Sequence, residues 1–436
     1  MKNVFVVGLE PFGHALLQTI RSDEEYRFLE LFNYEEVVRP PEAQYPSLDR
    51  LVADACGRFA QFEGPVHGIM GYWDFPTSAL VPLVAAHMGM PGPGLGALAR
   101  CEHKYWSRIE QQKIVPDCVP RFQAVDPFAD DAVATIELPY PFWIKPVKAH
   151  SSFLGFHIDT PAKLRARLET IRAHIGLMGE PFNEFLAHVE LPQEIQAVNG
   201  YHCIAEELVS TGHQCTLEGY AWHGEVEIYG IIDSLRTGRH DSCFSRYQYP
   251  SALPGAVQAR MEAASRKLVH HLEYDNAAFN IEFFWNPDDD RLHLLEINAR
   301  ISRSHSPLFL MVDGATNQKI PLDLALGRNP VFPHRAGGYS VAAKFMVRYF
   351  NDGVLTHVPT DDDIARLQDT CPEAWVRRLA PQGTRLSDLN LQDSYSYEVA
   401  EIFLGANSEK ELLKKYHHAL EMLDFQVRHA GPEINA

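Results

Sequence analysis

The sequence predicts a protein of mixed α/β and α+β class, built from several domains. Three observations lead there. The first 71 residues alternate short apolar runs with helix-like stretches, the pattern of an α/β unit. Further along, a strongly periodic helix precedes two strand-like runs that fold back on each other, which points to antiparallel pairing. The length of 436 residues, 46% of them hydrophobic, is enough for two to four cores at the usual ~100–200 residues per domain.

In chain order, Asn3 to Gly8 reads as a strand that ends in the turn residues Gly8 and Pro11-Phe12-Gly13, and a helix follows to about Arg21. A second strand (Phe28 to Phe32), a helix (Leu48 to Phe62) and a third strand (Val66 to Gly71) repeat the unit. The glycines at 8 and 13 do not form G-x-G-x-x-G, so they read as a tight βα turn and not as a dinucleotide fingerprint. The run Met90-Pro91-Gly92-Pro93-Gly94 breaks the chain. A helical segment from Ala97 carries Lys104; then come the turn from Pro116 to Pro120, a strand Phe142-Trp143-Ile144 leading into Lys145, a helix from Pro161 to Ile175, and strands at Ile204 to Val209, Cys215 to Trp222 and Val226 to Ile232. Val257, Met261, Ala264, Leu268 and Leu272 mark one face of a helix. Beyond Asn329-Pro330 the chain restarts with strands at Tyr339 to Phe350 and Tyr397 to Leu404 and a helix from Glu409 to about Leu423. The expected domains are therefore 1–98, 99–330 and 331–436.

With 39 basic and 57 acidic residues the net charge is −18, and no long Lys/Arg run interrupts it, which argues against nucleic acid or an anionic membrane as the main partner. Seven cysteines show no C-x-x-C pair, no stretch reaches the ~20 apolar residues of a membrane span, and the N-terminus runs straight into Val4-Phe5-Val6-Val7. A soluble, reduced, cytoplasmic protein is expected.

The runs Phe279 to Trp285 and Leu292 to Ile297 flank Asn286-Pro287-Asp288-Asp289-Asp290-Arg291 and read as a hairpin. If Asn286 pairs with Leu292 across a five-residue loop, Glu282 lies opposite Glu296, and Asn298 shares the face of Glu296 by alternation. Two facing carboxylates repel and raise each other's pKa. A hard divalent cation removes that cost, and Mg²⁺ is commonly held by one or two carboxylates plus substrate phosphates. The competing reading is a solvated sheet face, which a one-residue slip would produce.

Lys104, Ile144-Lys145-Pro146, Glu206-Glu207-Leu208-Val209, Ile281-Glu282-Phe283 and Leu295-Glu296-Ile297-Asn298-Ala299-Arg300, in this order, resemble the ATP-grasp superfamily, and within it the carboxylate-amine ligases that handle amino acids. The resemblance covers about residues 1 to 330, and more loosely the rest. It implies an ATP-grasp fold with an N-terminal α/β domain, a lid at about 139–209 and a C-terminal α+β extension. It implies an enzyme that phosphorylates a carboxylic acid with ATP and lets an amine displace the phosphate, releasing ADP. Mapped by motif, Lys104 and Lys145 would touch ATP phosphates, with Ser151 and Ser152 in a loop folded over them. Glu206, Glu207, Leu208 and Val209 would form the hinge against adenine. Glu282, Glu296 and Asn298 would hold Mg²⁺, or Mn²⁺ in its place, and Arg300 would hold the acyl phosphate or a substrate carboxylate. Two departures stand out: Phe153 and Leu154 enlarge the loop, and Gln214 aligns with an acid that binds ribose hydroxyls. A homodimer is expected from the resemblance alone. Carboxylation and a non-catalytic ATP-binding role are the alternatives; the chain holds no Met-Lys-Met for biotin attachment, and a binding module has no need of Arg300 beside the acids.

Overall fold

The structure, a computed structural model, describes residues 1–40, 44–150, 153–209, 212–236, 243–389 and 396–429. Its strands in chain order are β1 (Lys2–Leu9), β2 (Tyr26–Asn33), β3 (Gly68–Gly71), β4 (Phe122–Val125), β5 (Phe142–Pro146), β6 (Phe156–Ile158), β7 (Cys203–Glu207), β8 (His213–Trp222), β9 (Glu225–Arg236), β10 (Phe244–Tyr249), β11 (Ala277–Asn286), β12 (Arg291–Asn298), β13 (Val341–Tyr349), β14 (Gly353–His357), β15 (Trp375–Arg378), β16 (Tyr397–Ala406) and β17 (Gln426–His429). The chain divides into two compact units. One comprises Met1–Gly230, Leu253–Arg303 and Gln318–Phe332, and the other Ile231–Ala252, Ser304–Asn317 and Pro333–Ala436.

The first unit opens with a parallel sheet of order β2-β1-β3. Val4, Val6 and Val7 of β1 are fully buried, as expected of a strand covered on both faces. The chain leaves β1 through Gly8 at φ +74°, where an added Cβ would come within 2.7 Å of the Trp73 ring. That close approach lets Trp73 Nε1 donate to the Gly8 carbonyl at 2.7 Å. The carboxyl ends of β1 and β3 thus lie together, the place where open α/β sheets present ligand-contacting loops.

A second sheet of the same unit runs β4-β7-β5-β6, and against it packs the helix Pro161–His174 with Leu164, Leu168 and Ile171 buried. The expected helical segment around Lys104 is two helices, Leu95–Glu102 and Lys104–Ile114. His103 separates them: its backbone is extended, and its Nδ1 accepts from the Trp106 amide at 3.3 Å as a cap. Lys104 therefore sits on the first turn of a helix. A third layer, β12-β11-β8, is antiparallel, and the helix Gly255–His271 buries the expected face of Val257, Met261, Ala264 and Leu268.

In the second unit, β10, β13, β16 and β15 pair in that order, and the far half of β9 pairs with β10. The helix Glu409–Leu423 has the expected bounds; Leu412, Ala419 and Leu423 are buried, and Tyr416 stacks on Phe345 with ring centroids 3.9 Å apart. Helices at Thr77–His87, Gly176–Leu186, Ser306–Asp313 and Lys319–Ala325 were not anticipated. Thr77–His87 and Ser306–Asp313 are so uniformly apolar that no clear one-sided stripe marks them, and Pro181 interrupts the stripe of Met178, Phe182 and Phe185 in Gly176–Leu186. Among the described residues no helix is long and apolar enough to cross a membrane.

Candidate active site

Three adjacent strands build one polar face. Thr216 of β8 pairs with Glu282 of β11, which pairs with Glu296 of β12; in the next row Glu218, Asn280 and Asn298 stand side by side. The expected opposition of Glu282 and Glu296 is present, but the hairpin reaches it differently. Asn286 pairs with Arg291 and not with Leu292, so the loop is one residue shorter than expected. A bulge at Leu295 restores the register, because Phe283 pairs with Leu294 and Glu282 with Glu296. Arg108, 2% exposed, is fitted to that bulge. It donates to the Leu294 and Leu295 carbonyls, each at 2.7 Å, and so satisfies acceptors at the point where the ladder is irregular.

The two acids do not share one environment. Burial and then the charge of Glu296 push the Glu282 carboxyl up to about 7. Burial also acts to raise Glu296, but Lys104 and then Lys145 outweigh it and hold Glu296 below its ordinary value. Lys104 Nζ lies 3.2 Å from Glu296 Oε2 and donates to the Ala149 carbonyl at 2.7 Å. Asn298 Nδ2 donates to Asn280 Oδ1 at 2.9 Å, which leaves its carbonyl oxygen as the acceptor facing outward from that bond.

Lys145 ends in a buried ion triad. Its Nζ is 2.8 Å from Glu206 Oε2, and Arg108 Nε is 2.6 Å from Glu206 Oε1. Burial alone would raise the Glu206 carboxyl, yet Arg108 and Lys145 overcome it and hold it at about 2. Glu206 thus aims Lys145 toward the acid pair. Glu207 turns to the other side and pairs with Arg121, and Leu208 and Val209 follow β7 half-buried. Ser151 and Ser152 lie outside the described residues.

Gln214 stands on β8 beside the acids and donates from Nε2 to Glu282 Oε2 at 2.9 Å. Arg300 reaches toward the carboxyl end of β3, where its Nε and Nη2 meet Asp74 Oδ1 at 2.9 and 2.7 Å. Burial works to raise Asp74, and the opposing charges of Arg300 and His150 bring it down to about 2. Arg303 is buried: its guanidinium lies over Trp73 at 4.8 Å and Phe12 at 5.4 Å, beside Glu10 at 3.7 Å. Sequence reasoning missed Arg108, Asp74, Asn280, Glu218 and the Lys148–Glu102 pair, to which Ser78 donates at 2.6 Å. Alternation along β8 and β11 could have found Glu218 and Asn280, two residues from Thr216 and Glu282 on the same face.

The layers and this hairpin define the ATP-grasp fold. Residues 249–329, which contain β11, β12 and Arg300, match the family described as the carbamoyl-phosphate synthase L chain ATP-binding domain. In structure the chain is similar to an L-amino acid ligase from Bacillus licheniformis, with 15% identity, 99% of each chain covered and a TM-score of 0.70. It is also similar to a biotin carboxylase from Campylobacter jejuni solved with an ATP analogue, with 13% identity, 98% of this chain and 92% of that chain covered, and a TM-score of 0.62. In sequence it is 34% identical over 121 residues to an acetyl-CoA carboxylase of Schizosaccharomyces pombe, a stretch that is 26% of this chain and 5% of that relative's length.

Proposed function

We propose that the chain is an ATP-dependent carboxylate-amine ligase that joins a small carboxylic acid to an amine, one or both of them amino acids, through an acyl phosphate, with release of ADP and phosphate. The observation that carries this reading is the facing pair Glu282 and Glu296, with the charges of Lys104 and Lys145 acting on Glu296 and that of Arg300 on Glu282. Two carboxylate oxygens and an amide oxygen are hard donors, and burial together with the facing Glu296 raises Glu282, a cost that a bound cation would relieve. That donor set fits Mg²⁺, which would be held by Glu282, Glu296 and Asn298 with phosphate oxygens completing its shell. When bound it supplies charge neutralisation at the β- and γ-phosphates.

Lys104 and Lys145 would then bind phosphate oxygens as point charges, Lys145 held on target by Glu206. Glu207 to Val209 would lie along the nucleotide base. Arg300 would present its planar fork to the substrate carboxylate or to the transferred phosphoryl group. Positioning and electrostatics do most of the work in phosphoryl transfer, so no covalent catalyst is needed. An acyl phosphate is prone to hydrolysis, and the region 139–209, which shares its sheet and core with residues 122–138, would be the lid that excludes water. In domain terms the reading assigns 1–98 and 99–330 to substrate and nucleotide binding and leaves 331–436 as an extension. The test is a phosphate-release screen with ATP and Mg²⁺ across pairs of amino acids and small carboxylic acids, bicarbonate included, with mass spectrometry of products. ADP, phosphate and an amide are expected; AMP and pyrophosphate would overturn the reading.

A further inference from the structure

The polar face is bordered by two clefts of opposite character. The first is lined by Lys104, Lys145, Lys148, Glu206, Glu296 and Asn298. The second begins where the first ends: Asn298 lines one, and the next residues, Ala299 and Arg300, line the other. They meet again at Ser78, in the second cleft, which hydrogen-bonds Glu102, in the first.

The walls of the second cleft are mainly small and apolar, among them Met70, Val81, Ala85, Ala278 and Leu324. Its charged lining residue is Arg300, whose Nη1 donates to the Ile301 carbonyl at a long 3.3 Å and so retains capacity for a better acceptor. Thr77 and Asn276 also line it. Thr77 Oγ1, in a residue 1% exposed, and Asn276 Oδ1 are buried oxygens with no hydrogen-bond partner among the described residues. Buried polar atoms are normally paired, so two orphans in one cavity wall are what a donor-bearing ligand would satisfy. A concave, mostly apolar space with a few placed polar groups has the character of a small-molecule pocket.

We infer that this cleft seats the side chain of the carboxylic substrate, and that the substrate is an amino acid with an aliphatic or aromatic side chain. Its carboxylate meets Arg300 at the junction of the clefts, on the side of the acid pair. Its N–H donors face the orphan oxygens, and its apolar body displaces water from the cleft. A charged side chain would lose solvation against these walls without gaining a partner, so acidic and basic amino acids are rejected. The inference rests on the ligase reading, and the test separates the two.

Wild-type enzyme is assayed for ATP-dependent phosphate release with glycine, L-leucine, L-phenylalanine and L-glutamate as the acid and excess hydroxylamine as the constant amine, and L-leucine and L-phenylalanine binding is measured by calorimetry in the presence of a non-hydrolysable ATP analogue. At least a tenfold higher kcat/KM is expected for leucine or phenylalanine than for glycine or glutamate. Ala85→Trp, which fills the cleft, should erase that preference mainly through KM and abolish the calorimetric signal. Val81→Ala, which enlarges the cleft, should shift preference toward phenylalanine and guards against misfolding of the tryptophan variant. Turnover whose preference neither variant moves, or a preference for glutamate, overturns the cleft assignment and leaves the ligase standing. Binding that Ala85→Trp abolishes, without turnover on any acid, overturns the ligase and keeps the cleft. The absence of both overturns both.

Discussion

Glu206 and Glu282 are the same side chain in two neighbouring layers of one unit, and the protein treats them in opposite ways. Glu206, 4% exposed, receives two cations from the chain itself, Arg108 and Lys145, and its carboxyl is held at about 2. Glu282 receives Gln214, Asn298 and a second carboxylate, and its carboxyl is pushed up to about 7. A carboxylate whose countercharge is built in is a structural part: it fixes Arg108 against the bulge and Lys145 toward the acid pair. In the facing pair Glu296 has Lys104, whereas Glu282 is raised by burial and by Glu296; that half of the pair is costly by itself and suits a cation brought with substrate. The contrast separates residues that make the site from residues that use it.

The largest expected effect breaks the first half of that contrast. Glu206→Ala leaves Arg108 and Lys145 as buried charges without their partner, which should cost about 3–5 kcal/mol of folding stability. Urea denaturation with and without the substitution measures it; a loss under about 1 kcal/mol would mean that Glu206 is dispensable to the fold. The pH dependence has a definite sign. Glu206 has a folded value lowered from 4.5, so its stabilisation is complete above 4.5 and is lost as pH falls toward 2. Glu282 runs the other way: raised from 4.5 to about 7, it contributes stability that is present below 4.5 and lost as pH rises through 7. Without nucleotide or metal, Glu282→Gln should therefore flatten the decline between those limits in a stability profile, and Glu206→Gln should flatten the decline in acid.

Next in size is the second half of the contrast. Glu296→Ala removes one proposed metal donor and should lower turnover by about 10²-fold or more while the melting temperature stays within a few degrees. Near wild-type activity in that variant would remove the hairpin from the metal site. Arg300→Lys keeps charge beside Asp74 but loses the fork, so turnover should drop by at least about tenfold with stability nearly unchanged. A lower melting temperature with intact specific activity would instead make Arg300 the structural partner of Asp74, and Arg303 the next residue to substitute.

What the sequence made legible follows the range of the interactions. The hairpin was readable because alternation and a turn rich in Asn, Pro and Asp are local signals, and they led to the pairing of Glu282 with Glu296. The shorter loop and the bulge at Leu295 were not readable, because the bulge is held by Arg108 from a helix 187 positions away. Asp74 meets Arg300 across 226 positions, and nothing near Asp74 marks it as more than a loop acid. The ATP-grasp fold was recognisable because its signature residues keep their order along the chain, whereas the two clefts depend on helices such as Thr77–His87 whose apolar residues carry no clear period.

The smallest effect sharpens the contrast most finely, because it concerns the closer of the two amides that donate to Glu282. Gln214 was expected at the ribose, and the structure sets its amide on the Glu282 carboxylate at 2.9 Å. As a neutral donor it steadies Glu282 without supplying the missing charge, whereas an acid there would put a third carboxylate beside Glu282 and Glu296. Gln214→Ala should weaken Mg-ATP binding by about 0.5–1.5 kcal/mol, the worth of one hydrogen bond, and leave the fold intact. Gln214→Glu separates the two roles. If the side chain serves the ribose, ATP affinity is kept or improved at every metal concentration. If it serves Glu282, affinity at low Mg²⁺ falls through like-charge repulsion and recovers as Mg²⁺ is raised, because a cation in the site screens the added charge. Titrating ATP at several fixed Mg²⁺ concentrations distinguishes the two, and an unchanged dissociation constant for Gln214→Ala would place the residue outside the nucleotide site.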